Sequence, residues 1–358
     1  MSRVMKAMVL TGHGGLDKYA WHEDWPVPEP GPMEALIKVG ACGLNNTDVN
    51  TRTGWYSKTV TEATTGAAHD EVDRSDPTWG GRPIGFPRIQ GADAVGEVVA
   101  VGTGADPGLT GKRVMVDGWQ RDWSEPENMD KAAYFGSEVD GGFAEYTTCD
   151  VRSMAVVDSE LTDAELATFS CSYTTAEGML NRANAGADDT VLVPGASGGV
   201  GGALIQLAKR RGARAIAMAA EAKHADVARL GPDRILPRAP ENLREALHGE
   251  RVTVVADIVG GPLWPTLIDI LARGGRYTCS GAIAGPIVTL DLRTFYLRDL
   301  TFTGSTVVPS HVFRDVVGYI ERGEIEPVLA ATYPLRDLCA AQQAFIDKRH
   351  VGNIVVVP

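Results

Sequence analysis

A glycine-rich turn at Gly195–Gly202 carries the strongest chemical signal in this sequence. It joins an apolar run, Thr190–Val193, to a helical pattern from Gly199 to Arg211. Glycines let the backbone approach a pyrophosphate closely, and the first turn of a helix offers unpaired N–H groups and a partial positive charge. A cluster of this kind between a strand and a helix predicts a dinucleotide site. The residues expected to contact the cofactor are Ala196, Ser197, Gly198, Gly199, Val200 and Gly201.

The end of the next predicted strand indicates which dinucleotide is bound. An NAD site usually has an Asp or Glu about 20 residues further on, where it holds the ribose 2′-hydroxyl. Here the strand ends in small, uncharged residues up to Ala220, followed by Glu221 and Lys223. Lys223 and Arg238 could hold a 2′-phosphate, so we predict NADPH. Two alternatives stay open: Glu221 as the displaced acid of an NAD site, and Lys223 as a solvated helix charge.

The elements that must position these residues form a repeating pattern from about residue 160 to residue 303. Apolar strands alternate with helical stretches, which predicts a doubly wound parallel sheet with helices on both faces. The predicted strands are Thr190–Val193, Ala213–Met218, Arg234–Leu236, Val252–Ile258 and Arg276–Ser280. The predicted helices are Gly199–Arg211, Glu221–Leu230, Glu241–Leu247 and Leu263–Ala272.

The part before residue 160 has a different texture, with short strands broken by glycine and proline. The strands are predicted at Val4–Leu10, Glu34–Val39, Val95–Val101, Arg113–Val116 and Phe143–Thr148. Residues 57–86 lack periodicity and predict a long loop, a lid or an inserted excursion. The tail from Ser305 ends in a predicted strand, Ile354–Val357, and is expected to pack back on this first part.

Composition argues against nucleic acid and membranes as partners and favours a small-molecule substrate. The 358 residues include 34 Lys and Arg against 46 Asp and Glu, a formal charge of −12. An acidic balance without a basic run argues against a nucleic-acid partner or an anionic membrane surface. No apolar run reaches the roughly 20 residues of a membrane span. The 5 cysteines are scattered and never form C-x-x-C, as is typical of a reduced, cytoplasmic enzyme.

Six segments together match one family: Gly43–Tyr56, Gly91–Gly102, Asp140–Tyr146, Cys171–Ala176, Gly195–Gly201 and Gly352–Val356. Through them the chain resembles the medium-chain dehydrogenase/reductase superfamily over essentially its whole length, and within it the zinc-free quinone oxidoreductase-like branch. The resemblance implies a Rossmann-type dinucleotide-binding domain at residues 160–304. It also implies a GroES-like, β-rich catalytic domain at residues 1–159 and 305–358, an active site in the cleft between the domains, and a homodimer.

The positions that hold zinc in other members of this superfamily are altered. Zinc members use a Cys in a G-x-C-x-x-D stretch, a His in G-H-E and a later Cys. The corresponding residues here are Asn45, Ala92 (followed by Asp93) and Cys171. Residues 113–148 contain no cysteine, so the four-cysteine lobe for structural zinc is also missing. Because a catalytic zinc needs about three protein ligands, we expect no metal.

The resemblance implies roles for several polar side chains near the reacting groups. Asn45 is expected to contact nicotinamide or substrate, and Tyr56 to lie beside the substrate as a donor of a hydrogen bond or a proton. Thr47 matches a proton-relay hydroxyl of the zinc members. The plainer alternatives are that Asn45 caps a turn and that Tyr56 is a packed aromatic.

The resemblance also implies the remaining cofactor contacts. Lys223 and Arg238 fall where NADPH-preferring members hold the 2′-phosphate. The other expected contacts are Thr174 and Thr175 for the nicotinamide half, Ile258 and Val259 beside the ribose, and the backbone of Gly281 and Ala282 for the carboxamide. For the two threonines, ordinary helix capping is the alternative.

We therefore expect an NADPH-dependent oxidoreductase that transfers hydride to a quinone, an enone or an enoyl (thio)ester without zinc. One alternative is an alcohol or ketone dehydrogenase of the same superfamily, using Thr47 or an unusual metal arrangement through Cys171 and Asp93. The other is a non-catalytic NADPH-binding protein.

Overall fold

The computed structural model of the protein describes residues 3–69, 72–73 and 83–358. The chain forms two compact units. The first unit consists of Met1–Val60, Thr65–Cys171 and Pro309–Pro358, and the second of Thr61–Thr64 and Ser172–Val308. The domain bounds expected from the sequence, at 159/160 and 304/305, stay predictions.

The secondary structure of the described residues follows the chain in this order. The strands are β1 (Val4–Leu10), β2 (Tyr19–Pro26), β3 (Glu34–Gly43), β4 (Arg88–Ile89), β5 (Asp93–Val101), β6 (Arg113–Val116), β7 (Trp119–Gln120), β8 (Ala133–Tyr134), β9 (Tyr146–Asp150), β10 (Met154–Val156), β11 (Thr190–Pro194), β12 (Arg214–Ala219), β13 (Arg234–Pro237), β14 (Val252–Asp257), β15 (Leu271–Cys279), β16 (Thr301–Gly304), β17 (Leu329–Pro334) and β18 (Asn353–Val357). The α-helices are α1 (Asn46–Thr53), α2 (Asp163–Leu166), α3 (Ser170–Arg182), α4 (Gly199–Arg210), α5 (His224–Ala228), α6 (Leu243–Ala246), α7 (Trp264–Ile270), α8 (Leu292–Tyr296), α9 (His311–Glu321) and α10 (Leu338–Ile346).

The second unit is built on one sheet with the strand order β13-β12-β11-β14-β15-β16. Each neighbouring pair in this sheet is parallel. Strand β11 is apolar along Val191–Val193 and wholly buried there, as expected for a strand covered by helices on both faces. The order reverses at β11, so its carboxyl end is the switch point where such sheets bind ligands. The predicted doubly wound parallel sheet is confirmed.

The first unit is dominated by antiparallel strands. Its largest sheet has the order β10-β6-β5-β3-β18-β17, with β9 also paired to β3. A second sheet has the order β2-β1-β4, and β7 pairs with β8. The tail returns to this unit as predicted, because β18 pairs with β3 through Val355 and Val356. The predicted β-rich first part of the fold is therefore confirmed.

Several predicted element bounds differ from those observed. The helix predicted at Glu221–Leu230 is a 3-10 turn, Glu221–Lys223, followed by α5. The helix predicted to reach Ala272 ends at Ile270, because Leu271 pairs with Val252 and begins strand β15. In the described residues of the predicted loop, 57–69, 72–73 and 83–86, there is no helix or strand; the rest of that loop lies outside the described residues.

Each unit has its own apolar core. In the first unit, side chains of β3, β5 and β18 pack with those of β1 and α10, and Ile37, Val98 and Val356 are among the completely buried members. In the second unit the core lies around β11, β12 and β14. No helix among the described residues is long and apolar enough to cross a membrane.

Candidate active site

The amino end of helix α1 places Asn45 among buried polar groups. Asn45 is the N-cap residue of α1, with extended backbone angles, and is 6% exposed. Its backbone N–H donates to Asp48 Oδ2 at 2.7 Å, and the backbone N–H of Gly91 donates to Asp48 Oδ1 at 3.3 Å. Burial, together with the nearby charge of Asp93, raises the pKa of Asp48 to about 7. Asn45 therefore caps a helix, in line with the alternative that it serves as a capping residue. Its side-chain amide has a further partner.

That further partner is Asp93, the first residue of β5, which is completely buried. Its Oδ2 accepts a hydrogen bond from Asn45 Nδ2 at 2.9 Å, and its Oδ1 accepts one from the backbone N–H of Cys171 at 2.6 Å. Burial raises the pKa of Asp93 to about 7, against the lowering effect of the hydrogen bonds from Asn45 and Cys171. Asp93 thus joins two of the three positions that carry metal ligands in zinc members of the superfamily.

The Cys171 thiol has an aromatic partner that the sequence did not indicate. It forms a hydrogen bond with the hydroxyl of Tyr134. Tyr134 is 4% exposed, and its ring meets the Trp119 ring edge-on at 5.0 Å between centroids. Burial is the main reason that the pKa of Tyr134 is raised well above its ordinary value, so its hydroxyl stays protonated.

Two further predicted residues lie on or just after helix α1. Tyr56 is half-buried, its hydroxyl is hydrogen-bonded to the side chain of Asn50, and its pKa is raised, mainly by burial. Thr47 is the second residue of α1, and its Oγ1 is buried without a hydrogen-bond partner in the described part of the chain. An orphaned hydroxyl of this kind costs free energy unless a ligand or water meets it.

The donor set does not fit a catalytic zinc ion. Ala92 has no ligand atom, Asn45 donates its amide N–H to Asp93, and both Asp93 oxygens already accept hydrogen bonds. Within residues 3–69, 72–73 and 83–358, no group of three or more His, Cys, Asp and Glu side chains could hold a metal ion. A catalytic zinc requires about three protein ligands. This site offers one thiol and one carboxyl group whose two oxygens already accept hydrogen bonds.

The glycine-rich turn in the second unit fits a dinucleotide. It follows β11, and Gly195 has φ +71°, a conformation that favours glycine. A Cβ at Gly201 would lie 2.3 Å from the Gly195 carbonyl oxygen, so this position needs glycine. A Cβ at Gly198, the N-cap of α4, would have no neighbour closer than 3.7 Å. The start of α4 therefore presents backbone N–H groups beside open space, the arrangement that binds pyrophosphate.

One basic side chain contacts this turn, and a second cation lies near that side chain. Lys223 Nζ is 3.5 Å from Ser197 Oγ, a residue of the turn itself. Burial lowers the pKa of Lys223, and the positive charge of Arg238 lowers it further. Strand β12 ends at the small residue Ala219, and Glu221 is exposed. The structure thus brings Lys223 to Ser197, with the charge of Arg238 near enough to act on Lys223, an arrangement that suits a phosphate dianion.

A buried carboxyl group shapes the loop that carries Ile258 and Val259. Asp257, at the end of β14, accepts hydrogen bonds from the backbone N–H of Val259 at 2.7 Å and from the hydroxyl of Tyr277 at 2.8 Å. Burial raises the pKa of Asp257. A Cβ at Gly195 would lie 2.9 Å from Val259 Cγ2, so this loop abuts the glycine-rich turn.

The other predicted cofactor contacts lie just after β15 and on α3. A Cβ at Gly281 would lie 3.0 Å from the Ile258 carbonyl oxygen, and a Cβ at Gly260 would lie 3.2 Å from Ala282 Cβ. The backbone of Gly281 and Ala282 is therefore adjacent to the β14 loop. Thr174 and Thr175 are the fifth and sixth residues of α3, so neither occupies its capping position.

Comparison with known proteins covers both units. A family model described as the alcohol dehydrogenase GroES-like domain matches residues 31–159, and one described as zinc-binding dehydrogenase matches residues 199–322.

Individual relatives match over nearly the whole chain. An acryloyl-coenzyme A reductase of Metallosphaera sedula is 28% identical, over 98% of this chain and 99% of that protein. An NAD-dependent alcohol dehydrogenase of Sulfolobus acidocaldarius is 27% identical, over 93% of this chain and 94% of that protein. The crystal structure of a candidate alcohol dehydrogenase from Sinorhizobium meliloti 1021 is 45% identical, with a TM-score of 0.90 over 100% of this chain and 98% of that one.

Proposed function

The chain belongs to the medium-chain dehydrogenase/reductase superfamily of oxidoreductases, and we propose that it is a zinc-independent, NADPH-dependent reductase of its zinc-free branch. The substrate class is a quinone, an enone or an enoyl thioester, each of which contains a C=C bond conjugated to a carbonyl group. The observation that carries the proposal is the Asn45–Asp93 pair: an amide stands where zinc members have their first cysteine ligand, Ala92 stands where they have the histidine, and the neighbouring Asp93 accepts a hydrogen bond from that amide. The relative that reduces acryloyl-coenzyme A supports the same reaction class.

Reduction of a conjugated C=C bond suits a site that relies on hydrogen bonds. When bound, NADPH supplies a hydride from C4 of its nicotinamide ring to the β-carbon of the substrate. Negative charge then develops on the carbonyl oxygen as an enolate, and hydrogen-bond donors stabilise it until the α-carbon takes a proton from solvent water. Asn45 offers its second amide N–H to this oxygen. Tyr56, whose raised pKa keeps it protonated, suits a hydrogen-bond donor better than a proton donor.

The choice of NADPH rests on the charges around Ser197. Lys223 contacts Ser197 directly, and Arg238 is near enough to lower the pKa of Lys223. A 2′-phosphate would relieve their mutual repulsion and gain charge-assisted hydrogen bonds. The exposed Glu221 and the NAD-dependent relative are the features that favour NADH instead.

An alcohol or ketone dehydrogenase is the second candidate. The 45% identical structure carries that description, and the family model that matches residues 199–322 is one of zinc-binding dehydrogenases. The orphaned Thr47 Oγ1 would then meet the substrate hydroxyl.

We also propose a homodimer in the cytoplasm. All five cysteines are free, as suits a reducing compartment. The second unit exposes a group of apolar side chains just before β16, the edge strand of its sheet: Ile287, Leu292, Tyr296 and Leu297. Exposed apolar side chains of this kind suit an interface, and a second copy is the partner that the family resemblance implies.

Isotope transfer distinguishes the two candidate reactions. The purified protein is incubated with NADPH that carries deuterium at the transferred C4 position and with a panel of enones and enoyl thioesters. The proposal expects deuterium on the β-carbon of a product that keeps its carbonyl group. Deuterium on the former carbonyl carbon would support the dehydrogenase instead, and NADPH binding without any oxidation would indicate a non-catalytic protein.

A further inference from the structure

Asp93 is an unusual carboxyl group because its hydrogen-bond donors among the described residues are all neutral. It is completely buried, and both oxygens accept from neutral N–H donors: Asn45 Nδ2 at 2.9 Å and the Cys171 backbone at 2.6 Å. Burying a carboxylate without a cation costs more free energy than burying an apolar side chain. A contribution to folding stability therefore does not explain why an aspartate is buried here. Its contacts indicate a functional role at the site.

A glycine in the neighbouring strand leaves space for the Asp93 carboxyl group. A Cβ at Gly43 would lie 3.0 Å from Asp93 Oδ2 and 2.2 Å from the carbonyl oxygen of Ala167. Glycine at the end of β3 thus lets the carboxyl group reach Asn45. The packing leaves Asp93 little freedom to turn away.

Asn45 is held by carboxyl groups at two points. Asp48 Oδ2 accepts from its backbone N–H at 2.7 Å, while Asp93 Oδ2 accepts from its side chain. Rotation of an asparagine amide about χ2 is otherwise broad. Because Asn45 Nδ2 donates to Asp93 Oδ2, this contact holds the NH₂ group towards Asp93 and determines how the second N–H and Oδ1 are presented.

Resting on the proposed function, we propose that Asp93 is a positioning residue that holds the Asn45 amide in the orientation that donates to the substrate carbonyl oxygen. It takes over the ordering role of the metal without its Lewis acidity. The Cys171 backbone and the Tyr134–Cys171 hydrogen bond fix the other side of the carboxyl group.

A double-mutant cycle tests this role. Asp93→Asn keeps the size of the side chain, but only one of its two polar atoms can accept, so Asn45 and Cys171 compete for it. We expect kcat for the enone to fall about 10-fold or more, since small displacements of positioning groups have such effects. The KM for NADPH should change less than about 2-fold. In the Asn45→Ala background the same substitution should cost less than about 2-fold.

The control is Asp117→Asn, which removes another buried carboxyl group of the same unit. Asp117 is 4% exposed and accepts from the Trp119 backbone N–H. Asp93→Glu keeps both acceptor oxygens and should recover more of kcat than Asp93→Asn. Equal losses in the two Asn45 backgrounds, or an equal loss in the Asp117→Asn variant, would overturn the proposal.

An NMR measurement decides the matter without turnover. The side-chain amide resonance that disappears in Asn45→Ala should shift in Asp93→Asn and stay in place in Asp117→Asn. An unmoved resonance in folded Asp93→Asn, or in folded Asp93→Ala should the first variant not fold, would refute the contact. If the wild type reduces none of the panel, the proposed function fails, and this resonance still tests the positioning role.

Discussion

Single side chains decide which nucleotide the glycine-rich turn would accept. Lys223 lies 3.5 Å from Ser197 Oγ and is close enough to Arg238 for the arginine to lower its pKa. Two neighbouring cations repel each other unless an anion lies between them. A phosphate would turn this repulsion into attraction, and a ribose hydroxyl would not.

Arg238→Ala should therefore weaken the use of NADPH about 10-fold or more, for the loss of one charged contact. The use of NADH should stay nearly unchanged. Steady-state kcat/KM for both cofactors measures the effect, and Arg229→Ala is the matched control because Arg229 is an exposed arginine paired with Asp226. Equal losses with NADPH and NADH would show that Arg238 does not contact the phosphate.

A different residue, Asp117, should give the protein a measurable dependence on pH. Burial raises its pKa from 3.8 to about 6, despite the nearby Arg121 and Arg314. The folded state then holds the proton more tightly than the unfolded state, so stability is lost as the pH rises from about 4 to about 6. The largest possible loss is about 3 kcal/mol, from the size of the shift.

The variant Asp117→Asn removes this titration. Its free energy of unfolding relative to the wild type should rise between about pH 4 and pH 7 and level off above that. Urea denaturation across the range measures the difference. A difference that does not change with pH would show that Asp117 titrates normally.

Among the elements, the β11–α4 turn depends most strictly on its glycines. A Cβ at Gly201 would lie 2.3 Å from the Gly195 carbonyl oxygen, and relief of that clash would move the start of α4. We expect Gly201→Ala to raise the Kd of NADPH at least about 10-fold, because the N–H groups that face the pyrophosphate are displaced. Fluorescence titration measures the Kd. Gly186→Ala is the control, since a Cβ at Gly186 would have no neighbour within 4 Å; an equal Kd in both variants would contradict the role of the turn.

The parallel sheet was well predicted because strand and helix periodicity alternate clearly in its sequence. Strand β11 and helix α4 lie within one residue of their predicted ends. The prediction was wrong at Leu271 and Ala272, where pairing with β14 outweighs a helical pattern of apolar residues. Local periodicity does not contain that information, because the pairing partner lies about 20 residues away.

The polar surroundings of Asn45 were only partly predictable. Asp93 was visible as a departure from the family pattern, but not as the acceptor of the Asn45 amide. Tyr134 belongs to no motif, and the short β7–β8 pair brings it to Cys171 across 37 positions of sequence. Such contacts arise from tertiary packing and give no signal in residue spacing.

At the scale of the whole molecule, the exposed apolar side chains just before β16 favour the association of two copies. Ile287, Leu292 and Tyr296 are 70%, 64% and 60% exposed. Exposed apolar side chains that follow one another along the chain are costly in water and favour association.

The wild type should therefore sediment as a dimer, and Tyr296→Glu should shift it to monomer, because a carboxylate would be buried in the interface. Sedimentation velocity measures the distribution. Met129→Glu, at an exposed methionine of the first unit, should leave the dimer intact. A monomeric wild type would contradict the proposed assembly.

The central claim is that hydrogen bonds around Asn45 serve where zinc members use a metal. The most direct test is the rate of NADPH oxidation with an enone, before and after dialysis against a chelator, with the zinc content of the same samples determined. The account predicts an unchanged rate in protein that holds far less than one zinc ion per chain. Zinc bound in a one-to-one ratio, with activity that disappears on its removal and returns on its addition, would contradict it.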